Sequence, residues 1–125
     1  MRTAVAALTA ALAVLLAGAP AAVAARPPAR MLVTADEWML MASRQTVRAG
    51  TLEIQVYNRG EDGHDLAARR VARDGGWAGR TFRVRETRPG ELGEATWRLK
   101  SGKYRLWCDL PGHRAAGMRA TLRAR

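Results

Sequence analysis

Residues 104–122 read YRLWCDLPGHRAAGMRATL, and both ends of that stretch alternate. Tyr104, Leu106 and Cys108 fall on one face of an extended chain while Arg105 and Trp107 fall on the other, because successive side chains of a strand point to opposite sides. Met118, Ala120 and Leu122 repeat the pattern against Arg119, Thr121 and Arg123. The stretch therefore predicts two strands flanking a loop, 109–117, with Cys108 and Met118 both pointing inward.

Working outward, the rest of the chain follows the same two-residue period. Leu52, Ile54 and Val56 alternate with Glu53, Gln55 and Tyr57, and Asn58-Arg59-Gly60 closes that strand with a turn. Phe82 and Val84 alternate with Arg83 and Arg85, Pro89-Gly90 turns the chain, and Trp97 and Leu99 alternate with Arg98 and Lys100 before Ser101-Gly102 turns it again. No long amphipathic helix competes with this pattern, so the expected class is all-β, a sandwich or barrel. Two segments read differently. Residues 36–42, DEWMLMA, fit a buried strand or one helical turn equally well, and 71–80 reads as an irregular loop.

The beginning of the chain has a separate character. Arg2 precedes an uncharged, mostly alanine run from Ala4 to Ala17, followed by Gly18-Ala19-Pro20 and the small residues Ala22-Val23-Ala24. This is the pattern of a secretory signal peptide over 1–24, cut after Ala24, and it is too weakly apolar to be expected to span a membrane. A second arginine beside Arg2 and a cysteine near the cut are both missing, so neither twin-arginine export nor a lipid anchor is expected. The product would be one domain, 25–125, of 101 residues with net charge +9 (20 basic minus 11 acidic), located in a periplasm or outside the cell and not inserted in a membrane.

Such a short exported domain often recruits disulfides or a metal for support. Cys108 is the only cysteine, so no internal disulfide can form, and an unpaired thiol in an oxidising compartment must pair between chains, stay buried or be a ligand. The basic charge is spread over 18 arginines and two lysines with no run longer than Arg69-Arg70 and no interleaved stacking aromatics. Nucleic acid is therefore not an expected partner, and a solvated basic surface able to steer acidic partners accounts for the charge.

Within CDLPGHRAAGM, four residues separate Cys108 from His113 and four more separate His113 from Met118. One loop thus presents a thiolate, an imidazole and a thioether, and the only other histidine is His64, after the strand that ends near Tyr57. Singly, His113 could be an ordinary loop histidine, Met118 core packing and Cys108 a buried hydrophobe. Jointly, two imidazoles and a thiolate with a weak thioether are a donor set suited to copper in both oxidation states. Asp65 follows His64. Met39 and Met41 alternate in WMLM, which fits methionines filling an irregular core better than a soft copper-acquiring face.

At this point GHDL followed by YRLWCDLPGHRAAGM resembles the two-part copper signature of the cupredoxins, the plastocyanin and azurin family, with loop spacing similar to auracyanin-type members. The resemblance covers most of residues 25–125. It implies a Greek-key β-sandwich holding one type 1 copper through His64, Cys108 and His113, with Met118 axial and the Gly63 carbonyl in weak contact. The family usually carries asparagine where this chain has Asp65, which can still accept amide hydrogen bonds but adds negative charge beside the thiolate.

The resemblance further implies a monomer that carries single electrons between redox proteins docking near His113, on a rim of Leu110, Pro111, Ala115 and Ala116. The alternative function is copper storage or delivery to an exported oxidase. An enzyme is not expected, because both histidines and the cysteine are engaged and Met118 caps the site. A dinuclear copper centre would need a second cysteine.

Overall fold

A computed structural model describes residues 24–125, so the expected signal peptide, apart from Ala24, lies outside the described residues. Nine strands follow in chain order: β1 (Ala29–Asp36), β2 (Met39–Ala42), β3 (Thr46–Val47), β4 (Gly50–Asn58), β5 (His64–Val71), β6 (Trp77–Thr87), β7 (Leu92–Leu99), β8 (Gly102–Trp107) and β9 (Arg119–Ala124). A single helical turn, α1 (His113–Ala116), interrupts the connection between β8 and β9. The strands form two mixed sheets, one in the order β2-β1-β4-β7 and the other in the order β3-β9-β8-β5-β6. Within them β1 runs parallel to β4 and β3 parallel to β9.

Alternation dictates which side chains meet between the sheets. Met31, Val33 and Ala35 of β1, Leu52, Ile54 and Val56 of β4, and Trp97 and Leu99 of β7 are buried from one side. Leu66 and Ala68 of β5, Val84 of β6, Tyr104 and Leu106 of β8, and Leu122 and Ala124 of β9 meet them from the other. Burial of these side chains is the main favourable term for a two-sheet domain. The polar ends of the large aromatics find partners at the margins of the core: Trp97 Nε1 donates to the Arg83 carbonyl at 3.2 Å and the Tyr104 hydroxyl to the Lys100 carbonyl at 2.9 Å. Among the described residues no buried side-chain nitrogen or oxygen lacks a partner, as a stable core requires.

Two local expectations need correction. The segment 71–80 is not an irregular loop: β5 runs to Val71, β6 starts at Trp77, and only 72–76 turn between them. Ordering comes from Trp77, whose ring lies 5.5 Å from that of Trp107 across the sheet. Residues 36–42 are neither one buried strand nor a helical turn. The chain reverses at Glu37-Trp38, and β2 pairs back on β1 with Met39 opposite Asp36 and Met41 opposite Thr34. Leu40 is the residue that enters the core, while Met39 and Met41 face solvent, so they do not fill it.

Candidate metal centre

The strand ending at Asn58 and the one starting at His64 are joined by a loop shaped by a buried amide. Asn58 Nδ2 donates to the carbonyls of Asp62 at 2.7 Å and Thr87 at 2.8 Å, and its Oδ1 accepts the Gly60 N–H at 2.9 Å. Every polar atom of that side chain is thus engaged, and the loop is folded before His64 begins β5 opposite Thr87. His64 is completely buried.

Backbone hydrogen bonds likewise build the second loop. The Cys108 N–H donates to the Met118 carbonyl at 3.2 Å, the Met118 N–H to the His113 carbonyl at 3.1 Å and the His113 N–H to the Leu110 carbonyl at 3.2 Å. Gly112 and Gly117 bracket α1 with φ of 81° and 126°, a region that other residues occupy only at a steric cost. Asp109 anchors the loop from outside, accepting from Trp107 Nε1 at 3.0 Å and pairing with Arg83 at 2.8 Å, contacts that hold its carboxyl below the usual range.

These two loops bring three donors together at one end of the sandwich. The Nδ1 atoms of His64 and His113 lie 3.2 Å apart, and Cys108 Sγ lies 3.5 Å from His113 Nδ1. All three donor atoms fall within 4.8 Å of one another. Separations of 3.2 and 3.5 Å suit atoms that share one first-row ion at roughly 2.0–2.3 Å. The donor chemistry fits copper: two borderline nitrogens and one soft sulfur, with no carboxylate in the group. Met118 is fully buried, and its backbone joins those of Cys108 and His113 in the hydrogen bonds above.

Burial pushes the Cys108 thiol up to about 11, against the N–H groups of Leu110 and Asp65, which favour the thiolate, while the Asp65 carboxylate adds to the rise. Without a cation the sulfur stays protonated at neutral pH, and a bound metal reverses that balance. Asp65 Oδ1 accepts the Asp109 N–H at 2.6 Å, the amide hydrogen bond expected of it.

Two residues at the site escaped the sequence reading. Glu37 Oε1 lies 2.8 Å from His64 Nε2, and the same carboxylate accepts the N–H groups of Glu61 and Asp62. The Asp62 and Glu61 amides and the His64 ring hold its carboxyl down at about 2, so it is a carboxylate whenever the protein is near neutral pH. A carboxylate on Nε2 makes that nitrogen the proton donor, which leaves Nδ1 of His64 free to be the metal donor. A Cβ on Gly60 would displace this carboxylate from the bonds it makes to the loop and to His64. Trp38 packs edge-on against the His113 ring with centroids 4.9 Å apart and is itself 44% exposed. The only signal for either was the acid-aromatic pair at the ambiguous DEWMLMA segment.

No family model matches the sequence, and no curated protein matches it either. Solved structures match along most of the described chain. Auracyanin B superposes with a TM-score of 0.63 at 19% identity, covering 81% of this chain and 92% of that one. Auracyanin A, a "blue" copper protein from the green thermophilic photosynthetic bacterium Chloroflexus aurantiacus, gives 0.61 at 16% identity over 79% and 100%. The Na-dithionite reduced auracyanin of Roseiflexus castenholzii gives 0.57 at 19% identity over 77% and 96%. The fold of this chain is therefore the cupredoxin β-sandwich, with His64, Cys108 and His113 gathered between the β4–β5 and β8–β9 loops.

Proposed function

We propose that this chain is an exported electron carrier holding one type 1 copper through His64 Nδ1, Cys108 Sγ and His113 Nδ1, with Met118 axial and the Gly63 carbonyl in weak contact. The observation that carries the reading is the convergence of two Nδ1 atoms and a buried sulfur at 3.2–3.5 Å on a scaffold already hydrogen-bonded around them. Copper supplies the one-electron couple. The protein's own residues hold the donors: Glu37 orients His64, Asp65 and Asp109 fix the loop beside Cys108, and Trp38 braces His113. His113 is half-buried, and Pro111, Ala115 and Ala116 around it are exposed, which supports docking of a redox protein at that rim. With both histidines and the sole cysteine engaged by the ion, the site offers no base beside a nucleophile for hydrolysis, which supports a carrier rather than an enzyme, read here as a monomer. Leader residues 1–24 would direct it to a periplasm or the cell exterior.

Titration of the purified domain with cupric ion tests this. An intense visible thiolate-to-copper band with a small hyperfine splitting in electron paramagnetic resonance is expected, and a colourless product with Cys108 still reduced would reject the type 1 assignment. The exposure of Met39 and Met41 on one edge strand favours copper storage or delivery as a second reading. A chelator challenge separates the two, because a courier surrenders its metal readily and a carrier retains it.

A further inference from the structure

The outer faces of the two sheets differ sharply in charge. On the four-stranded sheet, outward bases are matched by acids: Arg30 pairs with Glu53 at 2.8 Å and Arg59 with Asp36 at 2.7 Å, while Glu94 lies on the same face as Arg98. On the five-stranded sheet the outward positions carry Arg69, Arg83, Lys103, Arg105, Arg119 and Arg123. The acids at its edge are fewer: Asp109 pairs with Arg83, Asp65 accepts the Asp109 N–H, and Glu86 lies near the end of β6.

The register makes this costly. Arg69 stands directly opposite Arg105, and Lys103 directly opposite Arg123. Like charges at opposed positions on neighbouring strands destabilise a sheet. Partial relief comes from aromatic faces: the Arg69 and Arg105 guanidinium groups lie 6.0 and 5.8 Å from the Trp77 ring, and that of Arg114 lies 4.6 Å from the Trp107 ring. Arg69 and Arg119 also donate to the Gly79 and Arg114 carbonyls, but these contacts leave the positive charge in place, and carboxylates from outside would neutralise it.

We propose that the outer face of the five-stranded sheet is a second docking surface, distinct from the His113 rim, for an acidic protein that is one of the carrier's two redox partners; what that partner exchanges rests on the function proposed above. The bases stand in a two-dimensional grid set by strand spacing, not in a single stripe, and this suits the scattered carboxylates of a folded surface. Trp107, in the middle of the grid, directly precedes Cys108. A protein seated there stands one residue from the proposed ligand sulfur.

Poly-L-glutamate serves as the probe, titrated into metal-free and copper-loaded protein and followed by amide resonances. Shifts are expected on β5, β8 and β9. Arg105→Glu, which places an acid opposite Arg69, should weaken binding about tenfold at low ionic strength, and the loss should fade as salt rises. The same variant should melt higher than the parent, because a repulsive cross-strand pair becomes an attractive one. Arg98→Glu makes the same charge change on the other sheet and should leave affinity close to the parent's. Equal losses in the two variants would reduce the effect to net charge and overturn the proposal. Tighter binding to phosphatidylglycerol vesicles than to the peptide would overturn it too, making the face a membrane contact. Failure to take up copper would remove the carrier reading while leaving this titration interpretable.

Discussion

Replacing Asn58 separates two ways of breaking the same buried amide. Asn58→Ala deletes three hydrogen bonds, those to the Asp62 and Thr87 carbonyls and from the Gly60 N–H, at about 1 kcal/mol each, or about 3 kcal/mol in all. For a domain this small, that lowers the melting temperature by about 12–24 °C. Asn58→Asp keeps the volume and can still accept from Gly60. It nevertheless turns a donor into an anion 2.7 and 2.8 Å from two carbonyl oxygens in a fully buried position. An uncompensated buried charge raises the total to about 5 kcal/mol, a large share of a typical stability of about 5–15 kcal/mol. The aspartate variant should therefore melt below the alanine variant at neutral pH, although it is the smaller chemical change. It should also recover as pH falls, because its carboxyl is pushed above the unfolded value and its protonated form can donate again. Thermal melts of the metal-free domain across pH check both points. An aspartate variant that melts at or above the alanine variant at neutral pH would refute the claim that this amide's donors hold the loop.

Other outcomes are equally definite. Asp65→Asn retains an acceptor for the Asp109 amide but removes a negative charge beside Cys108, so protein-film voltammetry should show a reduction potential higher by about 30–60 mV, at 59 mV per tenfold change for one electron; equal potentials would remove the role given to that charge. Glu37→Gln should move the potential in the same direction while the blue band persists, since the amide no longer places an anion on His64; an unchanged potential would reduce Glu37 to a loop brace. Burial raises the Tyr104 hydroxyl above 10.0, so as alkali is added the unfolded chain ionises first, and stability that is complete below about pH 10 is lost as pH rises through the folded value. Tyr104→Phe should cost about 1 kcal/mol at neutral pH through the lost bond to Lys100 and flatten that alkaline decline, as denaturant midpoints on either side of pH 10 would show.

Where strands bury one face and wet the other, the sequence was transparent. Leu52, Ile54 and Val56, or Tyr104, Leu106 and Cys108, fall on the core side as their alternation predicts. The strand 64–71 is opaque because its outward Ala67 is buried as well, opposite Trp107, a contact no local pattern encodes. Met39 and Met41 misled because a methionine suits core or surface, and only pairing with β1 decides between them. Three donors lie within one short loop, and His64 is the sole remaining histidine, so the candidate ligands were legible. Glu37 was not: an acidic residue in a turn announces nothing until folding sets it beside a histidine 27 positions away.

The hydrogen bonds that tie Cys108 to Met118 and Met118 to His113 need no metal to form. Ordering a loop costs about 1–2 kcal/mol per residue in backbone entropy, and these backbone bonds, which do not pass through the ion, offset part of that cost. Loading is then close to a lock receiving a key of fixed cut. Metal-free protein should stay folded, and an ion of the wrong size should meet walls that do not yield.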